Sequence, residues 1–193
     1  TTGSYNTIVG SRAGNGYDTE SDNMAIGYDA LGGAVAGGEQ NIAIGNYSLD
    51  ALTSGDGNTA VGFNAGSALT TGGSNTIIGR NAGLLHTTTS NSVIIGYYAA
   101  NEHDGGISNS VIIGTSAGAG FGNGDSATFI GYQAGSNHDD EDHNMGIGRA
   151  ALGGPVAGGE YNVAIGNYSL DAVTSGDYNV AVGYEAGTAL TTG

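Results

Sequence analysis

The octapeptide NHDDEDHN at 137–144 is the densest cluster of charge in this 193-residue chain. Asp139, Asp140, Glu141 and Asp142 offer the clustered hard oxygens that Ca²⁺ needs in its shell of about six to eight ligands. The spacing fits neither an EF-hand nor the Gly-rich nonapeptide calcium repeat, so a solvated acidic loop is the competing reading. Its counterpart GYDTESDN at 16–23 keeps the acids Asp18 and Glu20. Imidazole is the second candidate chemistry. His86, His103 and His138 each stand seven residues after a regularly placed glycine, at a position that is mostly apolar elsewhere; the fourth histidine is His143. His86 and His103 fall in adjacent repeats and would bind a transition metal if copies of the chain brought them together. The competing reading is packing within an apolar column. Asn46-Tyr47-Ser48 and Asn167-Tyr168-Ser169 are formal N-glycosylation sequons. No GxSxG elbow, P-loop or HExxH is present, and no constellation stands apart from the repeat. The expectation is a non-enzymatic protein.

Composition narrows the partners. Gly is 39 of 193 residues, Pro is 1, Cys and Trp are absent, and three Arg face 18 acids for a net charge of −15. Such a surface repels nucleic acid and anionic membrane, both of which need basic groups. No apolar run approaches the ~20 residues of a membrane-spanning helix. Regularly placed Ile and Val argue against disorder. A fold in which tight turns recur makes Gly a structural requirement.

The elements that must position these groups follow from one spacing. Gly10, Gly27, Gly45, Gly62, Gly79, Gly96, Gly114, Gly131, Gly148, Gly166 and Gly183 recur every 17 or 18 residues, giving eleven units. Residues 23–72 also match 144–193 at 38 of 50 positions, which marks a duplicated block of seven units. A fixed period of this length is the mark of a solenoid. The residue before each glycine is always Ile or Val, which favours a strand, and the unit is too short for a strand and a full helix. Residues 1–193 therefore read as one continuous all-β parallel β-solenoid of eleven coils. At ~4.8 Å per coil it makes a rod on the order of 50 Å long.

Positions are counted here from the glycine of each unit. Position −4 is Asn6, Asn23, Asn41, Asn58, Asn75, Asn144, Asn162 or Asn179 in eight units. Stacked at a corner, these side chains suit an amide ladder that satisfies turn backbone groups. Positions −3 and −1 share one face of the strand and are expected to fill the interior. Position −2 points the other way, yet is apolar in ten of eleven units. A strand apolar on both faces is buried on both. Ile8, Ile77, Ile94, Ile112 and Phe129 are accordingly expected to form an interface with another copy about a three-fold axis; variable loops folded over the stripe are the alternative. Both ends carry a TTG triplet in one phase of the coil, so the array is expected to be a segment of a longer fibre or to stack head to tail.

NSVIIG at 91–96 and 109–114, with NIAIG and NTAVG elsewhere, resembles the head repeats of trimeric autotransporter adhesins. The phrase NTAVGFNAGSALTTGGSNTIIGRNAG at 58–83 is similar to repeat arrays of bacteriophage tail fibres. The resemblance implies a left-handed trimeric β-roll in an extracellular position, on a cell surface or a virion. The expected role is a structural fibre rod that assembles with itself. The alternative is an adhesin contacting a cell-surface glycan or receptor through variable loops and the outer Tyr28, Tyr47, Tyr97, Tyr98, Tyr132, Tyr168 and Tyr184.

Overall fold

A computed structural model describes residues 3–16, 19–33, 38–102, 105–138, 140–154 and 159–192. Eleven three-residue strands recur along the described residues. They are β1 (Thr7–Val9), β2 (Met24–Ile26), β3 (Ile42–Ile44), β4 (Thr59–Val61), β5 (Thr76–Ile78) and β6 (Val93–Ile95). They continue as β7 (Val111–Ile113), β8 (Thr128–Ile130), β9 (Met145–Ile147), β10 (Val163–Ile165) and β11 (Val180–Val182). Each pairs in parallel with its sequence neighbours, in the unbroken order β1 to β11. The molecule is a β-solenoid. Register is strict: Ile77 lies opposite Ile94, and Ile112 opposite Phe129, so each repeat position becomes a column along the rod. No helix of the described residues is long and apolar enough to cross a membrane.

Each strand is stopped by its glycine. Gly62 has φ +142°, outside the range of L-residues, and an added Cβ would lie 2.5 Å from the Gly79 carbonyl oxygen of the next coil. Conformation and stacking distance both demand glycine there. The glycine nitrogen still donates to the carbonyl of position −1 in the preceding coil, as Gly62 does to Ile44 at 2.8 Å. Past the corner, positions +2 and +4 are left-handed, for example Tyr47 (φ 60°) and Leu49 (φ 48°), and so is position −5, as at Gln40 (φ 60°). These left-handed residues fold a short chain into a closed coil.

The strand presents the opposite face from the one expected. Position −2 is the core: Ala25, Ala43, Ala60, Ile77, Ile94, Ile112, Phe129 and Ala164 are buried. Positions −3 and −1 look outward, with Ile42 and Ile78 36% and Ile165 37% exposed. Ile77, Ile94, Ile112 and Phe129 are therefore interior residues and not an interface. Ile8 is exposed only because β1 has a strand on one side alone. The reason is period two. Asn at −4 points inward to make its buried bonds, so −2 must follow it.

Volume compensation seals the core. Where −2 is large, +4 is small: Ile77 faces Gly83, Ile94 faces Ala100, and Phe129 faces Gly135. Where −2 is Ala or Gly, +4 is commonly Leu, as in Ala43 with Leu49 and Gly146 with Leu152. A Cβ on Gly135 would fall 2.5 Å from the Phe129 ring, so the pair is in direct contact. Ala60 and Gly66 are both small, and there Leu49 and Ile77 of the adjoining coils close in to 3.0 Å of a Cβ built on Gly66.

Candidate functional site

Buried side chains knit the coils together. Asn58 is representative: its Nδ2 donates to Gly72 O at 2.9 Å, and its Oδ1 accepts from Asn75 N at 3.1 Å. Asn6, Asn23, Asn41, Asn75, Asn144 and Asn162 also donate through Nδ2 to a carbonyl of the next coil, at 2.6–3.1 Å. Asn179, in the last coil, donates instead to Asn162 Oδ1 at 2.9 Å. Ser92 and Ser110 replace Asn without breaking the ladder, since their hydroxyls accept from Ser110 N and Ala127 N at 3.2 and 3.1 Å. A second ladder went unread in the sequence. At position −6, Asp56, Asp125, Asp142 and Asp177 each accept from a backbone nitrogen of the preceding coil at 2.6–2.8 Å. Recurrence of Asp, Glu or Ser at −6 is the signal that would have found it.

Within one chain, the metal candidates among the described residues do not converge. His86 is buried with Nδ1 3.1 Å from Gly105 O. His138 is buried beside Phe129, at 4.9 Å between ring centroids, with its Nδ1 3.6 Å from Glu141 Oε2. The two belong to coils three apart, so ~14 Å separates them along the rod. His103 and Asp139 lie outside the described residues. The remaining acids diverge. Asp140 is exposed and accepts from Asn123 Nδ2 at 2.9 Å, Glu141 points inward, and Asp142 Oδ1 accepts from Asp125 N at 2.6 Å. Among the described residues no group of three or more His, Cys, Asp or Glu is placed to hold a metal.

Both sequons also take part in the stack. Asn46 Oδ1 accepts from Tyr28 N, and Asn167 Oδ1 from Arg149 N, both at 2.9 Å. Ser48 and Ser169 are buried and donate to the corner glycine carbonyls at 2.8 Å. The following acid, Asp50, is held less comfortably. Burial pushes its pKa from 3.8 up to about 6; a bond to its own backbone opposes this, and nearby Asp29 adds to it. Its Oδ1 is buried without a hydrogen-bond partner.

The outward strand face and its two edges are open to a partner. The face is two columns of Ile, Val, Met and Thr running over all eleven strands. One edge, at +1 and +2, is aromatic and cationic. Tyr28, Tyr47 and Phe63 meet edge-on at 5.3 and 5.9 Å, and Arg80 lies over Phe63 and Tyr97 at 5.7 and 5.9 Å. Arg149 repeats the arrangement between Tyr132 and Tyr168, at 5.5 Å from each. Beside the second run lies a polar groove of about 280 Å³ lined by Ser116, Gln133 and Asn137 among others. The other edge, at −5 and −6, carries the carboxylate ladder and a stack of His143, Tyr161 and Tyr178 at 4.7 and 5.0 Å. Comparison with protein-family models, curated proteins and solved structures finds no match to this chain.

Proposed function

We propose that this chain is a non-enzymatic rod of an extracellular or virion fibre, which assembles with further copies of itself through the outward strand face. One observation carries the reading: an apolar stripe continues over all eleven strands, and no described residue packs on it. At ~4.8 Å per strand it runs about 48 Å, longer than the isolated apolar patches of soluble monomers. The ladders support a mechanical role, because each coil satisfies the polar groups of the next and lends it a template. Two titratable groups inside the stack are held by neighbours, His138 Nδ1 at 3.6 Å from Glu141 Oε2 and His86 Nδ1 at 3.1 Å from the Gly105 carbonyl. The extracellular placement rests on the resemblance to adhesin heads and tail fibres.

Light scattering tests the assembly. The chain is expected to be oligomeric, and Ile95→Asp with Ile130→Asp is expected to give a monomer of unchanged circular dichroism. A monodisperse native monomer overturns the proposal. A second reading, a glycan- or receptor-binding module, is favoured by the exposed aromatic edge, since Tyr28, Tyr97 and Tyr132 are solvent-facing. Under it, Tyr97→Ala and Tyr132→Ala abolish adhesion and leave the oligomer intact.

A further inference from the structure

All three Arg of the chain, Arg12, Arg80 and Arg149, stand at +1 or +2, on one edge of the outward face. The opposite edge, at −5 and −6, carries seven carboxylates, among them Asp56, Asp125, Asp142 and Glu160, and no Arg. Arg12 is engaged within the chain, 3.4 Å from Asp29. Arg80 and Arg149 make no ion pair among the described residues and rest only on aromatic rings. In a protein of net charge −15, two of the three cations thus have no ion-pair partner among the described residues, and both border the apolar stripe.

We propose that copies of this chain associate in parallel, with Arg80 and Arg149 of one copy set against the carboxylate edge of the next. The inference rests on the lateral assembly proposed above and specifies its orientation. Area makes the edges part of the contact. The stripe, about 48 Å by 10 Å, offers on the order of 500 Å², short of the ~800 Å² per partner of a standard stable interface. The flanking columns must supply the rest. Symmetry then decides which columns meet. When the symmetry axis runs along the rods, as in parallel dimers or trimers, the +1 edge of one copy faces the −5 edge of its neighbour. When the axis is perpendicular to the rods, each edge faces its own kind, and seven carboxylates oppose seven. Like charges brought together at an interface suppress that arrangement. In the parallel arrangement Arg149 lies level with Asp142, with Asp125 and Glu160 in the coils on either side, while Arg80 lies level with Gly73 and Ser74 and one coil from Asp56. Arg flanked by aromatic rings is the residue type that interfaces concentrate at their energetic centres.

Cysteine is absent from the chain, which makes crosslinking clean. Thr59→Cys in β4 and Thr128→Cys in β8 place thiols on the outward face, equally far from the central strand β6. With a short thiol-specific bifunctional crosslinker, parallel rods link each variant to itself. Antiparallel rods link only a mixture of the two variants, and that result overturns the proposal. In parallel with this, Arg80→Glu with Arg149→Glu is expected to weaken association on the order of tenfold or more and to reduce its sensitivity to salt. Unchanged affinity in the double variant, with self-crosslinking retained, removes the role of the two Arg and leaves the lateral assembly standing. A native chain that neither crosslinks nor exceeds monomer mass overturns the lateral assembly itself.

Discussion

Asn58 illustrates how much one side chain carries in a stacked coil. Replacing it by Ala leaves Asn75 N and Gly72 O without their partners inside the rod. Each buried polar group left unsatisfied costs about 1–3 kcal/mol, so Asn58→Ala is expected to lose about 3 kcal/mol in chemical denaturation. Asn58→Ser should lose clearly less, because Ser92 holds the same position with its hydroxyl bonded to Ser110 N and Ser90 O. Asp50 gives a pH-dependent counterpart. Its folded pKa of about 6 lies above the ordinary 3.8, so the folded state binds the proton more tightly than the unfolded chain. Its contribution to stability is therefore fully present below pH ~4, falls as pH rises to ~6, and stays lost above. Asp50→Asn should flatten thermal stability across that window. Asp29→Ala, which copies Ala150 of the second block, should flatten it only in part, because burial is the larger cause. The Asn column was legible because one residue type recurs at one position. The −6 column was not, because Asp, Glu and Ser share it with Gly and the bond it makes is to the backbone of another coil.

A coil is built from a strand, a corner and a core pair, and each can be tested alone. Gly62 and Gly183 share the same strained φ, +142° and +136°, but only Gly62 has a following coil stacked against it. Gly183→Ala should therefore cost only the backbone strain, about 1–3 kcal/mol, while Gly62→Ala adds a clash with Gly79 O and should cost distinctly more. Denaturation midpoints of the two variants separate the contributions. The core pair predicts compensation. Ala43→Ile alone overpacks, at about 1–3 kcal/mol, and Leu49→Ala alone opens a cavity, at about 2–5 kcal/mol. Together they rewrite the third coil as the sixth, which pairs Ile94 with Ala100, so the double variant should lose much less than the sum. This pairing explains the misread face. Strand placement followed from the β-branched residue before each glycine, and all eleven strands occupy −3 to −1. Inside and outside could not be told by alternation, since both faces are apolar. The exchange of volume between −2 and +4, visible within the repeats as Ala with Leu and Ile with Gly, assigns −2 to the core.

At the scale of the whole rod, strand contacts run only between neighbouring coils among the described residues. Stability in such an array is close to a sum of coil terms and neighbour terms, with no contact that needs the full length. Deleting residues 46–62 removes one 17-residue coil and joins Gly45 to Phe63. The junction is nearly native: Ala43 takes the place of Ala60 before Gly66, and Leu31 takes the place of Leu49 beneath it. The shortened chain should fold to the same circular dichroism with a modestly lower melting temperature. Deleting only residues 46–61 leaves one extra glycine after the corner. The left-handed position of Gly66, φ 59°, then falls on Ala65, and the inward Ala65 column is taken by Asn64. A buried Asn without its ladder partners and a side chain in the wrong backbone well act at one point. That variant should melt well below the cleaner deletion despite being one residue closer to the native length. If the two deletions melt together, coil register is not what holds the rod, and the stacking argument built on it fails.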